Sequence, residues 1–189
     1  MNNKFLLIMG PSGAGKSTII HNLRGIDNRF EYISPYITRE LRVGETDKIP
    51  VTKSQLRKLN NEGKILAINR LYGVSYATPI TPINKAFLDG KFPILDWPVD
   101  KLNIMEIAFP GKLFKVYLEP PNLESLEDRL SDGRDLKGKR FSKAKNELAK
   151  LLRGEFDNLV DFRIVNEQGN QEVIAKKIFY AYLRSINKW

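Results

Sequence analysis

The segment from Gly10 to Thr18 contains the residues whose types and spacing most directly indicate chemistry. It reads Gly-Pro-Ser-Gly-Ala-Gly-Lys-Ser-Thr, which fits the Walker A pattern in full. Glycines in such a loop let successive backbone N–H groups point at phosphate oxygens, and the start of a helix adds its positive end. We therefore expect the loop to bind the phosphates of a nucleoside triphosphate. The residues expected to contact it are Gly10, Pro11, Ser12, Gly13, Ala14, Gly15, Lys16, Ser17 and Thr18.

Two side chains of this loop have separate expected roles. We expect the Lys16 ammonium to reach the β- and γ-phosphates, and the Ser17 hydroxyl to ligate a Mg²⁺ ion that accompanies ATP. A glycine-rich turn without a ligand is the alternative interpretation. A chance match to so many fixed positions is rare at ordinary glycine frequencies, so we favour phosphate binding.

The segments on either side of the loop fit a strand and a helix, as phosphate binding requires. Residues 5–9 form a continuous apolar run, which is typical of a central parallel strand. Residues 17–23 place Ile19, Ile20 and Leu23 on one helical face. The opening unit is therefore predicted to be strand, phosphate loop and helix.

The rest of the chain alternates between strand and helix patterns. Further strands are predicted at 92–95, 113–118 and 162–165, and helices at 54–61, 81–89, 123–130 and 171–186. This alternation predicts an α/β fold, a three-layer P-loop NTPase with a parallel sheet core. Between about 34 and 81 the pattern loosens into short strands and turns around the helix at 54–61, and we interpret this stretch as an insertion folded over the sheet.

Composition limits the function classes that remain open. The 189 residues include no cysteine and one histidine, His21, which excludes thiol nucleophiles, cysteine zinc sites and disulfides. The apolar run at residues 5–9 is far too short to span a bilayer. We expect a single cytoplasmic domain, 1–189, without a membrane segment. The sequence leaves the oligomeric state open.

The formal net charge of +9 indicates an anionic partner. A nucleic acid is the less favoured partner, because the sequence offers no separate basic groove. Arg39 and Arg42 lie three residues apart beside Gly44, a spacing suited to binding one dianionic phosphate with fork-shaped donors. Two ordinary surface charges are the alternative interpretation of this pair.

At this point the sequence resembles the guanylate kinase family. The loop at 10–17 is followed by Thr-Arg-Glu-Leu-Arg-Val-Gly-Glu at 38–45, as in that family. The other segments that look like family motifs are Gly73–Pro79, Ile94–Asp96, Leu123–Leu130, Arg140–Leu148 and Asp161–Asn166. The resemblance therefore spans nearly the whole chain in the correct order.

The resemblance implies an ATP-dependent kinase that converts ATP and GMP or dGMP into ADP and GDP, with Mg²⁺. It implies a core of residues 1–33, 83–130 and 141–189, a monophosphate-binding insertion at 34–82 and a short lid at 131–140. The implied catalytic residues are Lys16, Arg39, Arg134 and Arg140, and Asn166 joins the ATP-binding set. The implied acceptor-binding residues are Ser34, Arg39, Arg42, Glu45, Tyr76, Thr78 and Asp96.

The sequence departs from the family where the base would be read. Ala67 stands where the family has a guanine-reading glutamate, and Pro35 replaces a serine for which Ser34 is a substitute. The tyrosine expected soon after Glu45 is absent, and Pro98 replaces a second acidic residue after Asp96. The lid is also shorter than expected. Phosphate binding is thus retained while the identity of the base is left open.

Two alternatives follow from these departures. One is a kinase of the same fold that acts on another nucleotide or a phosphorylated small molecule. The other is a catalytically weak, guanylate kinase-like binding module. The intact Gly15-Lys16-Ser17 argues against the binding module, because a scaffold does not need a complete triphosphate loop.

Overall fold

The computed structural model describes residues 3–71, 73–131 and 138–187. In chain order its elements are β1 (Phe5–Met9), α1 (Lys16–Ile26), β2 (Phe30–Tyr32), β3 (Tyr36–Ile37), β4 (Ile49–Pro50), α2 (Lys53–Asn61), β5 (Ile65–Leu71), β6 (Val74–Pro79), α3 (Ile80–Leu88), β7 (Phe92–Asp96), a 3₁₀ turn (Val99–Lys101), α4 (Leu102–Ala108), β8 (Leu113–Glu119), α5 (Leu123–Leu130), α6 (Lys139–Leu152), β9 (Phe162–Val165) and α7 (Gln171–Ile186). The chain divides into two compact units: residues 1–28 with 96–189, and residues 29–95.

The first unit is built on parallel strands that carry the predicted phosphate loop. β8 pairs in parallel with β1 and with β9, and the register sets Phe5 opposite Leu113 and Val116 opposite Phe162. All five side chains of β1 are fully buried, which explains why the strand is apolar at every position instead of alternating. α7 packs against α1 and inserts Tyr182 edge-on against Phe114, with ring centroids 5.9 Å apart.

The second unit contains a parallel pair and a separate four-stranded sheet. β2 pairs in parallel with β7. The four-stranded sheet has the order β4-β3-β6-β5, in which β6 runs antiparallel to both β3 and β5. The register between β5 and β6 sets Ala67 opposite Thr78 and Asn69 opposite Tyr76. Paired residues of antiparallel strands project to the same face, so these four side chains share one face of the sheet.

The elements predicted from sequence periodicity agree with those observed. The predicted strands at 5–9 and 162–165 and the final helix at 171–186 have the predicted bounds, and β7 and β8 each extend one residue further. α4, a seven-residue helix without a side-chain cap, was not predicted from the sequence. The short strands and the one helix predicted within residues 34–81 are present as the four-stranded sheet and α2, but the pairing of the strands was not predicted. Within the described residues, no helix is both long and apolar enough to cross a membrane.

Asn122 is the N-cap of α5, and its side chain accepts a hydrogen bond from the Ser125 N–H at 2.7 Å. We expect Asn122→Ala to lower the free energy of unfolding by about 1 kcal/mol, because the substitution leaves a helix-terminal N–H without its acceptor. Urea denaturation measures this change. Asn122→Asp keeps the acceptor and should retain stability, while Asn146→Ala, an exposed mid-helix control in α6, should change stability by less than about 0.5 kcal/mol. Equal losses at Asn122 and Asn146 would contradict the assignment of this cap.

Candidate functional site

The loop between β1 and α1 has a backbone that only glycine adopts readily. Gly10, Gly13 and Gly15 all have positive φ, with 92° at Gly15, the N-cap of α1. A Cβ at Gly10 would collide with the carbonyl of Leu118, and a Cβ at Gly15 would collide with the side-chain amide of Asn166. Glycine is therefore required here both by conformation and by space.

The Lys16 side chain folds back over this loop. Its Nζ donates hydrogen bonds to the carbonyl oxygens of Gly10 at 2.7 Å and Pro11 at 2.8 Å. Burial lowers the pKa of Lys16 below its usual value, and the nearby Asp96 and Glu147 carboxylates oppose this effect. A half-buried ammonium held by carbonyl oxygens is a group that an anion would stabilise.

Two polar side chains support the loop from the rest of the first unit. Asn166, which follows β9 and is 2% exposed, donates from Nδ2 to the Ala14 carbonyl at 2.7 Å. Arg129 of α5 donates to the carbonyls of Gly13 at 3.4 Å and Asn166 at 3.3 Å. The structure thus gives Asn166 a contact with the loop backbone, and its contact with ATP stays a prediction. No role for Arg129 was predicted from the sequence.

Of the two predicted lid arginines, Arg140 lies within the described residues and Arg134 does not. Arg140, in the first turn of α6, donates from one terminal nitrogen to the Ser12 hydroxyl at 2.7 Å. The structure therefore brings Arg140 to the phosphate loop, and its catalytic role stays a prediction. Arg134 lies outside the described residues.

α6 also places the Glu147 carboxylate near Lys16, and this placement was not predicted from the sequence. Glu147 accepts a hydrogen bond of 2.9 Å from the hydroxyl of the buried Tyr117. Burial raises the pKa of Glu147, and Lys16 and Tyr117 oppose the rise. Burial likewise raises the pKa of Tyr117. Because Glu147 follows Arg140 by seven residues, which is two helical turns, the spacing could have indicated that both side chains lie on one face of α6.

The residues present fit a magnesium ion that is bound mainly through phosphate oxygens. Ser17 lies exposed in the first turn of α1, and Asp96 ends β7 close enough to Lys16 to affect its pKa. No group of three carboxylate or imidazole side chains that could hold a metal ion occurs among the described residues. Mg²⁺ at a nucleotide site usually takes one or two protein ligands and completes its coordination with phosphates and water.

The second unit places Arg39 in a bidentate ion pair with Glu45. The two terminal nitrogens of Arg39 donate to Glu45 Oε2 and Oε1 at 2.7 and 2.8 Å. This hydrogen bonding raises the pKa of Arg39 and lowers the pKa of Glu45 to about 2. The Glu45 carboxylate also accepts from the backbone N–H of Arg42 and from Lys48. Arg39 Nε is buried and has no hydrogen-bond partner in the part of the chain that the structure describes.

The other predicted acceptor residues of this unit lie at different depths. Tyr76 on β6 is half-buried, and its side chain contributes to the raised pKa of Arg39. Thr78, also on β6, is 3% exposed. The Arg42 side chain is exposed, and Ser34 is half-buried in the connection between β2 and β3. The structure therefore brings Arg39, Glu45 and Tyr76 together, and it does not bring the Arg42 side chain into that group.

Comparisons with known proteins agree with this geometry. A sequence model described as guanylate kinase matches residues 2–176. A guanylate kinase of Streptococcus pyogenes is 33% identical over 178 residues, which is 89% of this chain and 81% of that protein. A guanylate kinase of Granulibacter bethesdensis is 31% identical over 161 residues, covering 82% of this chain and 75% of that protein. The chain belongs to the guanylate kinase family.

Solved structures confirm the predicted fold class. The crystal structure of guanylate kinase from Anaplasma phagocytophilum aligns with a TM-score of 0.75 at 20% identity, covering 98% of this chain and 87% of that chain. Shikimate kinase from Acinetobacter baumannii aligns with a TM-score of 0.55 at 18% identity, covering 98% of this chain and 96% of that chain. Both likenesses show a shared fold, the α/β P-loop fold predicted from the strand–loop–helix pattern.

Gly15 and Gly25 offer a matched test of the loop geometry. We expect Gly15→Ala to weaken Mg·ATP binding by about 10-fold or more, because strained φ and the collision with Asn166 both distort the loop. Gly25 lies within α1, where an added Cβ meets nothing, so Gly25→Ala should leave binding unchanged. Isothermal titration calorimetry measures both. ATP affinity retained by Gly15→Ala would contradict the proposed steric constraint.

The Arg39–Glu45 pair should give this protein a specific acid sensitivity. The folded-state pKa of Glu45, about 2, lies below its ordinary value of 4.5, so the ionised carboxylate contributes stability above that ordinary value. The contribution is lost as the pH falls from about 4.5 towards 2. The stability difference between wild type and Glu45→Gln, measured by urea denaturation, should therefore shrink over this interval. Glu40→Gln serves as the charge control, and a pH-independent difference at position 45 would contradict the prediction.

Proposed function

We propose that this chain transfers the terminal phosphoryl group of Mg·ATP to GMP or dGMP and releases ADP and GDP or dGDP. Membership of the guanylate kinase family supports this reaction, as do the relatives that carry that name. The single observation that carries the proposal is the Lys16 ammonium, which is held by two carbonyl oxygens over a complete Walker A loop. Its present partners are two backbone carbonyls, which are weaker acceptors for a charged donor than phosphate oxygens.

The phosphate loop would bind ATP by exchanging these carbonyl contacts for phosphate contacts. Lys16 would turn from Gly10 and Pro11 towards the β- and γ-phosphates, where its charge is paired more strongly. The negative charge of ATP favours the protonated lysine and so counteracts the effect of burial on its pKa. The N–H groups at the start of α1 would add further donors.

The acceptor would be held through its phosphate by Arg39. The two terminal nitrogens of Arg39 are occupied by Glu45, which fixes the plane of the guanidinium. Nε is a buried donor with no acceptor among the residues that the structure describes, and a phosphate oxygen of GMP would supply one. The hydroxyl of Tyr76 lies beside the same guanidinium and is a second candidate donor to that phosphate.

Magnesium would be held by the Ser17 hydroxyl together with the phosphates, with Asp96 as a candidate acceptor for its water ligands. When bound, the ion neutralises charge that develops on the transferring group. The chain's own residues would orient ATP and screen its charge, and the ion would supplement them.

The transfer itself needs little chemistry from the protein. An oxygen of the GMP phosphate attacks the γ-phosphorus, and the bond from that phosphorus to the β–γ bridging oxygen breaks, so the electron pair leaves with ADP. A phosphate dianion is already a competent nucleophile, so a general base is not required. Arg140, which already contacts Ser12 of the loop, would stabilise negative charge on the transferring oxygens, and Arg134 is the second candidate for this role.

The two alternative functions are less well supported. The family match and the named relatives favour guanylate kinase over a kinase for another phosphorylated molecule. A binding module would have no use for Lys16 held over the loop by its carbonyl contacts. A nucleic-acid partner also remains the less favoured reading of the basic charge.

A coupled ADP-release assay tests the proposal with Mg·ATP and a panel of GMP, dGMP, AMP, CMP, UMP and dTMP. We expect GMP and dGMP to be the best acceptors, and Lys16→Met to lower kcat by about 100-fold or more, because stabilisation of the transferring group is lost. Gly25→Ala is the control that should keep full activity. ATP binding without turnover of any of the six nucleotides would contradict the proposal.

A further inference from the structure

Asn69 on β5 is a buried amide whose hydrogen-bonding capacity is incompletely used. It is 5% exposed, and its Oδ1 accepts no hydrogen bond from the described residues. Buried polar atoms almost always have a partner, and one that does not is unfavourable for folding. A bound ligand could supply the hydrogen-bond donor that this oxygen lacks.

The sheet register places Asn69 among the predicted acceptor residues of the second unit. Asn69 lies opposite Tyr76 on β6, and Tyr76 lies opposite Ile37 on β3. Thr78 is the diagonal neighbour of Asn69 on the same face, because its own partner is Ala67. Diagonal neighbours of this kind stand about 7–8 Å apart, so Asn69 and Thr78 are neighbours on one face of the sheet.

The same face lacks a carboxylate where the family resemblance would place one. Ala67, two residues before Asn69 on β5, has no polar side-chain atom and is 9% exposed. Successive residues of one face are separated by about 6.7 Å along a strand. Among the described residues of β5, Asn69 is the side chain of this face that carries a hydrogen-bond acceptor.

We propose that Asn69 is a specificity-determining residue whose Oδ1 accepts a hydrogen bond from the N–H groups on the Watson–Crick edge of guanine. Guanine presents an N1–H and a 2-amino group on this edge. Adenine presents an acceptor nitrogen and a C–H at the same two positions, so an amide oxygen there is matched by guanine and left unpaired by adenine. The inference rests on the proposed function, which supplies the identity of the acceptor. The sheet register and the burial of Asn69 support its position near that acceptor.

Calorimetric titration of GMP without ATP tests the inference separately from turnover. We expect Asn69→Ala to weaken GMP binding by about 10-fold, the loss that follows from removing one buried acceptor. The affinity for AMP should differ by less than twofold between Asn69→Ala and wild type. If AMP binds too weakly for direct titration, its affinity can be measured by competition against GMP. Asn69→Asp keeps the size and the acceptor and should retain GMP binding. The control Asn84→Ala removes an exposed amide on α3 of the same unit and should change neither affinity.

Thermal melting separates a role in binding from a role in folding. Because Asn69 Oδ1 accepts no hydrogen bond from the described residues, Asn69→Ala should keep its melting temperature close to that of wild type while it loses GMP affinity. The inference is overturned if Asn69→Ala retains GMP affinity within twofold, or if GMP and AMP affinities fall by the same factor.

The two proposals fail in different ways. A wild type that binds GMP through Asn69 but does not turn it over with ATP would refute the proposed function and retain the inference. A wild type that turns over GMP, with GMP affinity unchanged in Asn69→Ala, would refute the inference alone. A wild type that does not bind GMP at all would refute both.

Discussion

The placement of one half-buried lysine ammonium over a glycine loop is the constraint on which the first unit depends. Lys16 can lie there only because the backbone of residues 10–15 bends back and offers carbonyls to it. That bend needs positive φ at three glycines and leaves no room for a side chain at Gly10 or Gly15. The fully apolar β1 and its parallel partner β8 then fix where the loop begins. Asn166 and Arg129 hold its carbonyls from the far side.

The second unit also holds a cationic side chain, Arg39, in a fixed orientation. The group proposed to bind an anion is the Arg39 guanidinium, which is oriented by a carboxylate and not by backbone carbonyls. Glu45 takes both terminal nitrogens of Arg39 and also accepts from the Arg42 N–H and Lys48. Because the carboxylate has several donors, it remains ionised well below its ordinary pKa. The result is an arginine with a fixed plane and one buried donor, Nε, still available to an oxygen.

Sequence alone predicted the parts of this protein where one residue type has one physical use. The glycines of the loop, the apolar run of β1 and the helical spacing of α7 each gave the correct element, because backbone geometry and burial dictate them directly. The roles of Arg129 and Glu147 were not predicted, because each depends on a residue that is distant in sequence. Arg129 donates to the carbonyl of Gly13, and Glu147 accepts from the hydroxyl of Tyr117, 30 residues away. Short strands were predicted between residues 34 and 81, but not their bounds or their pairing, because β3 and β4 have two residues each, too few to show a period.

The face of β5 and β6 shows how a departure in sequence can mark a function instead of its loss. Ala67 removes a polar group from this face, yet Asn69 adds one at the next position of the same face, buried and only partly hydrogen-bonded. If the unit had merely lost base recognition, an apolar residue at position 69 would pack there without an unpaired oxygen and would favour folding. An amide that is unfavourable in the free protein is favoured in the complex if its missing partner arrives with the ligand. Residue 69, more than residue 67, is therefore where the choice of base by this chain is to be sought.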